Sequence, residues 1–100
     1  ETKKDEYTVG GLYVCPSKHI VRANGNDVVL TYKEFELLCL LISNRGTVFN
    51  RDQILQRIWG FEFDGENRTV DVHIRTLRTK LGECGRLVET VRGIGYKIGG

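Results

Sequence analysis

Two helix starts are spelled out almost completely in this chain, and together they limit what it can fold into. In Leu30-Thr31-Tyr32-Lys33-Glu34-Phe35, Thr31 and Glu34 have the spacing of a capping box, while Leu30 and Phe35 have that of a hydrophobic staple. The pattern predicts a helix carrying Phe35, Leu37, Leu38, Cys39, Leu40, Leu41 and Ile42. Apolar on nearly all sides, it should be the central buried element, ended by Asn44-Arg45-Gly46. The same logic recurs after Val48-Phe49: Asn50 caps, Gln53 falls at the third helical position, and Phe49 can staple to Ile54. This second helix shows a core stripe of Ile54, Leu55, Ile58 and Trp59, closed by Gly60. Trp59 could serve as a stacking platform for a base, but at the end of such a stripe it reads as core.

A third helix follows in Arg68-Thr69-Val70-Asp71-Val72-His73-Ile74-Arg75-Thr76-Leu77-Arg78-Thr79-Lys80-Leu81. Val70, Ile74, Leu77 and Leu81 recur at steps of four, three and four, one narrow stripe that faces a core. A rotation of 100° per residue puts Arg68, Val72, Arg75, Thr76 and Thr79 on the opposite side. His73 and Lys80 then lie on one shoulder, Asp71 and Arg78 on the other. Asn67 is placed to cap the helix and Gly82 to stop it. The outer face is cationic, rich in short hydroxyls, and carries one valine that the core does not need. It suits the DNA major groove, where Arg and Lys meet phosphates or guanine, Thr bonds either, and an apolar side chain touches a thymine methyl.

Taken alone, such a face also fits an ordinary solvated surface helix. The next residues shift the balance. Leu87-Val88-Glu89-Thr90-Val91 and Tyr96-Lys97-Ile98 are two β-favouring runs separated by Arg92-Gly93-Ile94-Gly95, a hairpin with glycine supplying positive φ. An arginine at the tip of a projecting ribbon can enter a minor groove. Gly93-Ile94-Gly95 is not a dinucleotide fingerprint, because no strand–helix unit surrounds it and the third glycine is misplaced.

Charge distribution agrees with this. The overall charge is only +2, but from Arg68 onward seven basic residues face three acidic ones, a net of +4, whereas the first 67 positions net −2. The chain is a charge dipole, basic at the suspected reading end. One hundred residues, 40% of them hydrophobic, suffice for one domain with one modest core. Ahead of the first helix, Tyr7 to Val9, Leu12 to Cys15, His19 to Ala23 and Val28 to Leu30 read as a four-stranded antiparallel meander punctuated by Gly10-Gly11, Pro16-Ser17 and Asn24-Gly25-Asn26. The polar start over 1–6 reads as a linker remnant and 7–100 as the domain. With no methionine anywhere, the chain is expected to be a fragment of a longer protein.

Cys15, Cys39 and Cys84 form no CxxC and no zinc-spaced Cys/His cluster, so no metal or cofactor is expected, and the odd count points to reducing cytosol. No run approaches the ~18 apolar residues of a membrane span. An enzyme is the weakest reading: His19 and His73 lack a Cys or Ser partner at a motif spacing, and there is no phosphate-cradling glycine loop. The stronger rival is a protein-interaction module built on the same helices and hairpin, without a DNA role. Such a surface would more often show a contiguous apolar patch at the basic end, which Val72 alone does not make.

Between Gly60 and the basic helix lies Phe61-Glu62-Phe63-Asp64-Gly65-Glu66, three acids in six residues. Phosphates would repel it, so it should point away from a duplex. Its two aromatics are either offered to a protein partner or tucked into the core.

The order of elements now becomes recognisable. Leu30-Thr31 with Glu34-Phe35 and Leu37-Leu38, then Asn50-Arg51-Asp52-Gln53-Ile54-Leu55 with Trp59-Gly60, then Asn67-Arg68-Thr69-Val70-Asp71-Val72-His73-Ile74, then Thr90-Val91-Arg92-Gly93-Ile94-Gly95-Tyr96, closely resemble the winged-helix effector domain of OmpR/PhoB-type response regulators. The resemblance runs from Tyr7 to Ile98, and its last two blocks are highly specific. It implies an α+β winged helix-turn-helix: an N-terminal four-stranded antiparallel sheet, three helices and a C-terminal β-hairpin wing. It implies sequence-specific binding of double-stranded DNA, with the third helix in the major groove and Arg92 in the adjacent minor groove. The DNA-contacting set becomes Arg68, Thr69, Val72, His73, Arg75, Thr76, Arg78, Thr79, Thr90 and Arg92, with His73 and Thr90 bonding the backbone. Helical phase independently supports Arg68, Val72 and Arg75, and only partly Arg78 and His73. Thr76 is a departure, since relatives often carry arginine there. The resemblance further implies an RNA polymerase contact through Phe61, Glu62, Phe63, Asp64, Gly65 and Glu66, an upstream receiver domain absent from this chain, and a second copy on tandem half-sites.

Overall fold

The structure is a computed structural model and describes residues 6–60 and 66–99. Tyr7–Val9 (β1), Leu12–Cys15 (β2), Ile20–Ala23 (β3) and Asn26–Asp27 (β4) form an antiparallel sheet in the order β1-β2-β3-β4. Its buried side chains include Val9, Leu12, Val14, Val21 and Ala23. The alternation that predicted the meander is therefore real, with two changes of boundary. His19 lies outside β3, because it takes a left-handed conformation (φ 59°) after the 3-10 turn Pro16–Lys18. The fourth strand falls on Asn26–Asp27 rather than Val28 to Leu30, because the tight turn at Asn24-Gly25 returns the chain at once, pairing Ala23 with Asn26 and Arg22 with Asp27. Val28 adds one more backbone bond, to Val21 at 2.9 Å, before Val29 leaves the sheet fully exposed.

The first helix is Tyr32–Ser43 (α1) and the second Arg51–Ile58 (α2). Both capping boxes are present. Thr31 Oγ1 accepts from the Glu34 amide at 3.2 Å while Glu34 Oε1 accepts from the Thr31 amide at 2.9 Å. Asn50 and Gln53 make the same exchange at 2.7 and 2.9 Å. Phe35, Leu37, Leu38, Leu41 and Ile42 of α1 are buried, but Cys39 and Leu40 are only half-buried. They line an open groove with His19, Tyr32 and Ile58, so α1 is central without being covered all round.

The third helix, Arg68–Leu81 (α3), buries the expected stripe completely: Val70, Ile74, Leu77 and Leu81 are at most 2% exposed. Its start differs from expectation. Asn67 is itself helical (φ −69°, ψ −9°) and makes no side-chain cap. The first turn is closed through backbone carbonyls instead, Thr69 N–H to Glu66 and Val70 N–H to Asn67. Beyond Leu81, a 3-10 segment over Gly82–Leu87 leads into Val88–Val91 (β6), which pairs with Gly95–Ile98 (β7). Phe49–Asn50 (β5) adds a third strand, order β5-β7-β6, so the wing is stitched to the segment joining the first two helices. Gly95 permits this: a Cβ there would fall inside van der Waals contact of the Phe49 carbonyl and 2.7 Å from Asn50 Cα.

Glu34 does two jobs. Besides capping α1, its carboxylate, almost fully buried, accepts from Lys80 Nζ at 2.7 Å and ties the end of α3 to the start of α1. Burial alone would raise this carboxyl. The Lys80 ammonium and the Thr31 bonds outweigh it and hold the group below the usual carboxylate range. A depressed folded value contributes stability above the unfolded pKa, and that contribution is lost as pH falls through the folded value. Glu34→Gln should therefore cost about 1–2 kcal/mol near neutral pH and flatten the acid limb of stability against pH, read by urea unfolding across the acidic range. Gly95→Ala should cost about 1–3 kcal/mol by overpacking β5 against β7, measured the same way.

Candidate nucleic-acid interface

With its apolar stripe buried, α3 turns the opposite side outward. Arg68, Val72, Arg75 and Thr79 are exposed, Thr69, His73, Thr76 and Arg78 are half-buried, and Arg92 stands exposed at the wing tip. Val72, at 58% exposure, is among the few large apolar side chains left in solvent. The tip is a tight turn in which Ile94 N–H reaches the Val91 carbonyl at 2.9 Å and Gly93 supplies the positive φ of 75°. Among the described residues, the guanidinium groups of Arg75 and Arg92 meet no hydrogen-bond or ion-pair partner, and Arg68 has only a loose, solvent-exposed pairing with Glu66 at 3.8 Å. These are cations held out to water, free to neutralise phosphates.

Not every expected contact is equally available. Arg78 Nε donates to the Val88 carbonyl at 2.8 Å and Nη2 to Thr90 Oγ1 at 2.7 Å, with the guanidinium 5.9 Å from the centre of the Tyr96 ring. Arg78 and Thr90, both singled out from the sequence, are thus joined to each other across the seam between α3 and the wing. The 3-10 segment fits as closely, with Gly85 lying against the Arg78 backbone. His73 Nδ1 lies 2.9 Å from the Thr69 carbonyl, so the ring proton sits on Nδ1. A neutral ring then has only a lone pair at Nε2, and donation to a phosphate needs the imidazolium. The ring packs edge-on to Trp59, centroids 4.8 Å apart, while Lys33 caps the end of α2 through the Ile58 carbonyl at 2.7 Å. Trp59 is half-buried against the core, as its place in the stripe predicts. Within the expected contact loop 61–66, only Glu66 lies among the described residues. Phe61, Glu62, Phe63, Asp64 and Gly65 lie outside them.

Sequence reasoning missed one cluster altogether. Asp71, placed only as a shoulder residue, accepts a hydrogen bond from the Tyr96 hydroxyl at Oδ1 and an ion pair from Arg51 at Oδ2, 3.2 Å. One carboxylate thereby gathers the first residue of α2, the first turn of α3 and the middle of β7. Burial, reinforced by Asp71, pushes the Tyr96 phenol up to about 12, so it stays a donor. Tyr96 is 25 residues from Asp71 and Arg51 is 20 away, and no local spacing announces either partner.

Arg78→Ala should lower stability by about 1–2 kcal/mol, and Arg78→Lys should recover little of it, since one ammonium cannot reach both acceptors in the fork geometry. Tyr96→Phe should cost about 1 kcal/mol by the same urea measurement.

Comparison with known proteins agrees with this geometry. A family model described as "Transcriptional regulatory protein, C terminal" matches residues 25–98. The regulatory protein VanRB of Enterococcus faecalis is 44% identical over 93 residues, which are 93% of this chain and 41% of that protein. The response regulator DrrB of Thermotoga maritima, an OmpR/PhoB homologue, superposes with a TM-score of 0.88 at 32% identity, covering 98% of this chain and 46% of its own. The DNA-binding domain of RstA from Klebsiella pneumoniae, solved in complex with the RstA box, gives a TM-score of 0.83 at 31% identity, covering 96% of this chain and 98% of its own. The chain thus spans less than half the length of VanRB and DrrB, and nearly all of the isolated RstA domain. Among the described residues no helix is long and apolar enough to cross a membrane. Fold, matched residues and relatives together make this chain a member of the transcriptional regulatory protein C-terminal family, the winged-helix DNA-binding domain of OmpR/PhoB-type response regulators.

Proposed function

We propose that this domain grips double-stranded DNA with α3 in the major groove and the wing in the neighbouring minor groove, and so directs a two-component regulator to its promoters. The observation that carries the reading is exposed Val72 and Arg75 on the side of α3 opposite its buried stripe, with exposed Arg92 on the wing turn, neither arginine having a partner among the described residues. Arg68, Arg75 and the remaining N–H groups of Arg78 supply phosphate or guanine contacts. Thr69, His73, Thr79 and Thr90 border the backbone, Val72 and Thr76 face the bases, and Arg92 enters the minor groove. RstA's DNA-binding domain, with its own DNA box, supports the mode of docking by likeness of fold.

The remaining parts of the reading concern the whole protein, in the cytoplasm. Residues 1–6 are a linker from a receiver domain, the acidic segment 61–66 is a contact for RNA polymerase, and a second copy occupies a tandem half-site. One module is expected to bury only ~600–1,000 Å² of protein surface and so to bind weakly alone. The rival protein-interaction surface gains no support, since among the described residues the exposed large apolar side chains of α3 and the wing are Val72 and Ile94, on separate elements.

Selection from a random duplex pool with this chain should enrich a defined site. With roughly five phosphates neutralised per domain, log affinity should fall against log salt with a slope near −4 to −5. A flat titration would remove the electrostatic mechanism. Arg75→Ala should reduce that slope by about one if it meets phosphate, or relax base preference if it meets guanine. Arg92→Ala should weaken sites with A·T-rich flanks selectively, and an equal loss across all flanks would contradict the wing assignment.

A further inference from the structure

The two threonines in the middle of the α3 reading face have already spent their hydroxyl protons. Thr76 Oγ1 donates to the Val72 carbonyl at 2.9 Å, and Thr79 Oγ1 to the Arg75 carbonyl at 3.0 Å. A hydroxyl has one hydrogen, so a threonine bonded in this way cannot donate to guanine O6 or N7, adenine N7 or thymine O4. It can offer only its Cγ2 methyl and the oxygen lone pairs. Val72 precedes Thr76 by four residues, on the same side of the helix and about 5–6 Å away between Cβ atoms. Val72 is 58% exposed with no core to cover it. Two neighbouring positions on the reading face therefore present methyl groups. The apolar group that DNA offers in the major groove is the C5 methyl of thymine.

We propose that Thr76 reads DNA as a methyl-bearing apolar residue rather than as a hydrogen-bond donor, and that with Val72 it selects a site carrying two neighbouring thymine methyls, one under each side chain. The inference rests on the major-groove reading above and deepens it by naming the class of base that the middle of α3 prefers.

The test begins with the site that the unaltered chain selects from a random duplex pool, and replaces each thymine in turn by uracil. That change removes the C5 methyl and leaves every hydrogen-bonding group in place. Two neighbouring positions should each lose about fourfold in affinity, the value of one buried methyl group. Thr76→Val keeps the methyl and deletes the hydroxyl, so it should bind the selected site within about twofold and retain both uracil penalties. Thr76→Ser keeps the hydroxyl and deletes the methyl, so it should abolish the penalty at one position only. Val72→Ala should abolish the other. Circular dichroism melting of each variant separates lost reading from lost folding. The proposal is overturned if the valine variant, folded, loses binding that the serine variant keeps, or if uracil costs nothing anywhere while the chain still binds its duplex. That last result leaves the DNA reading intact, whereas failure to enrich any duplex would overturn both.

Discussion

Burying Val70, Ile74, Leu77 and Leu81 is the constraint from which the functional surface follows. Removing four aliphatic side chains from water contributes on the order of 6–12 kcal/mol of gross driving force, far more than any polar contact on the helix. That force fixes the rotation of α3 about its axis, and rotation decides which residues can meet DNA. Arg68, Val72 and Arg75 face outward because the opposite side is claimed by the core. A one-residue slip would turn the helix by 100° and exchange Val72 for a charged or polar neighbour.

Hydrophobic burial sets rotation but discriminates poorly along the axis, and here polar ties add register. Lys80 is anchored on buried Glu34 near one end of α3. Asp71 is held by Tyr96 and Arg51 near the other. Arg78, between them, reaches across to Val88 and Thr90 on the wing. One tie runs to α1, and the other two reach the wing, at β7 and at β6. An exposed ion pair is worth little in stability. The Glu34–Lys80 pair is different because its carboxylate also caps α1 and is nearly inaccessible to water.

What was legible in the sequence was what is local. Both capping boxes, the stripe of α3, the outward cations and the glycine turn of the wing depend on residues within a few positions of each other, and all are where spacing puts them. The departures have local causes too: Asn67 is helical in its own right, and the turn at Asn24-Gly25 starts β4 early. What was not legible is long-range. β5 is two residues long and exists only because β7 lies beside it. The Asp71 and Glu34 clusters join residues up to 46 positions apart, with no periodicity to reveal them. The commitment of Thr76 and Thr79 to helix carbonyls is local, yet hydroxyls on an outer face read equally well as free donors.

Because Arg78 fastens α3 by hydrogen bonds to the strand that leads into Arg92, the span between the helix and the wing tip is set within the protein. The two elements are then presented to a duplex like the jaws of a caliper. On the docking proposed above, sequences that widen or narrow the distance between the two grooves would have to deform to meet it, and their stiffness would become part of what is recognised. If Thr76 reads bases as proposed, new target preference would arise by exchanging such side chains on an unchanged frame.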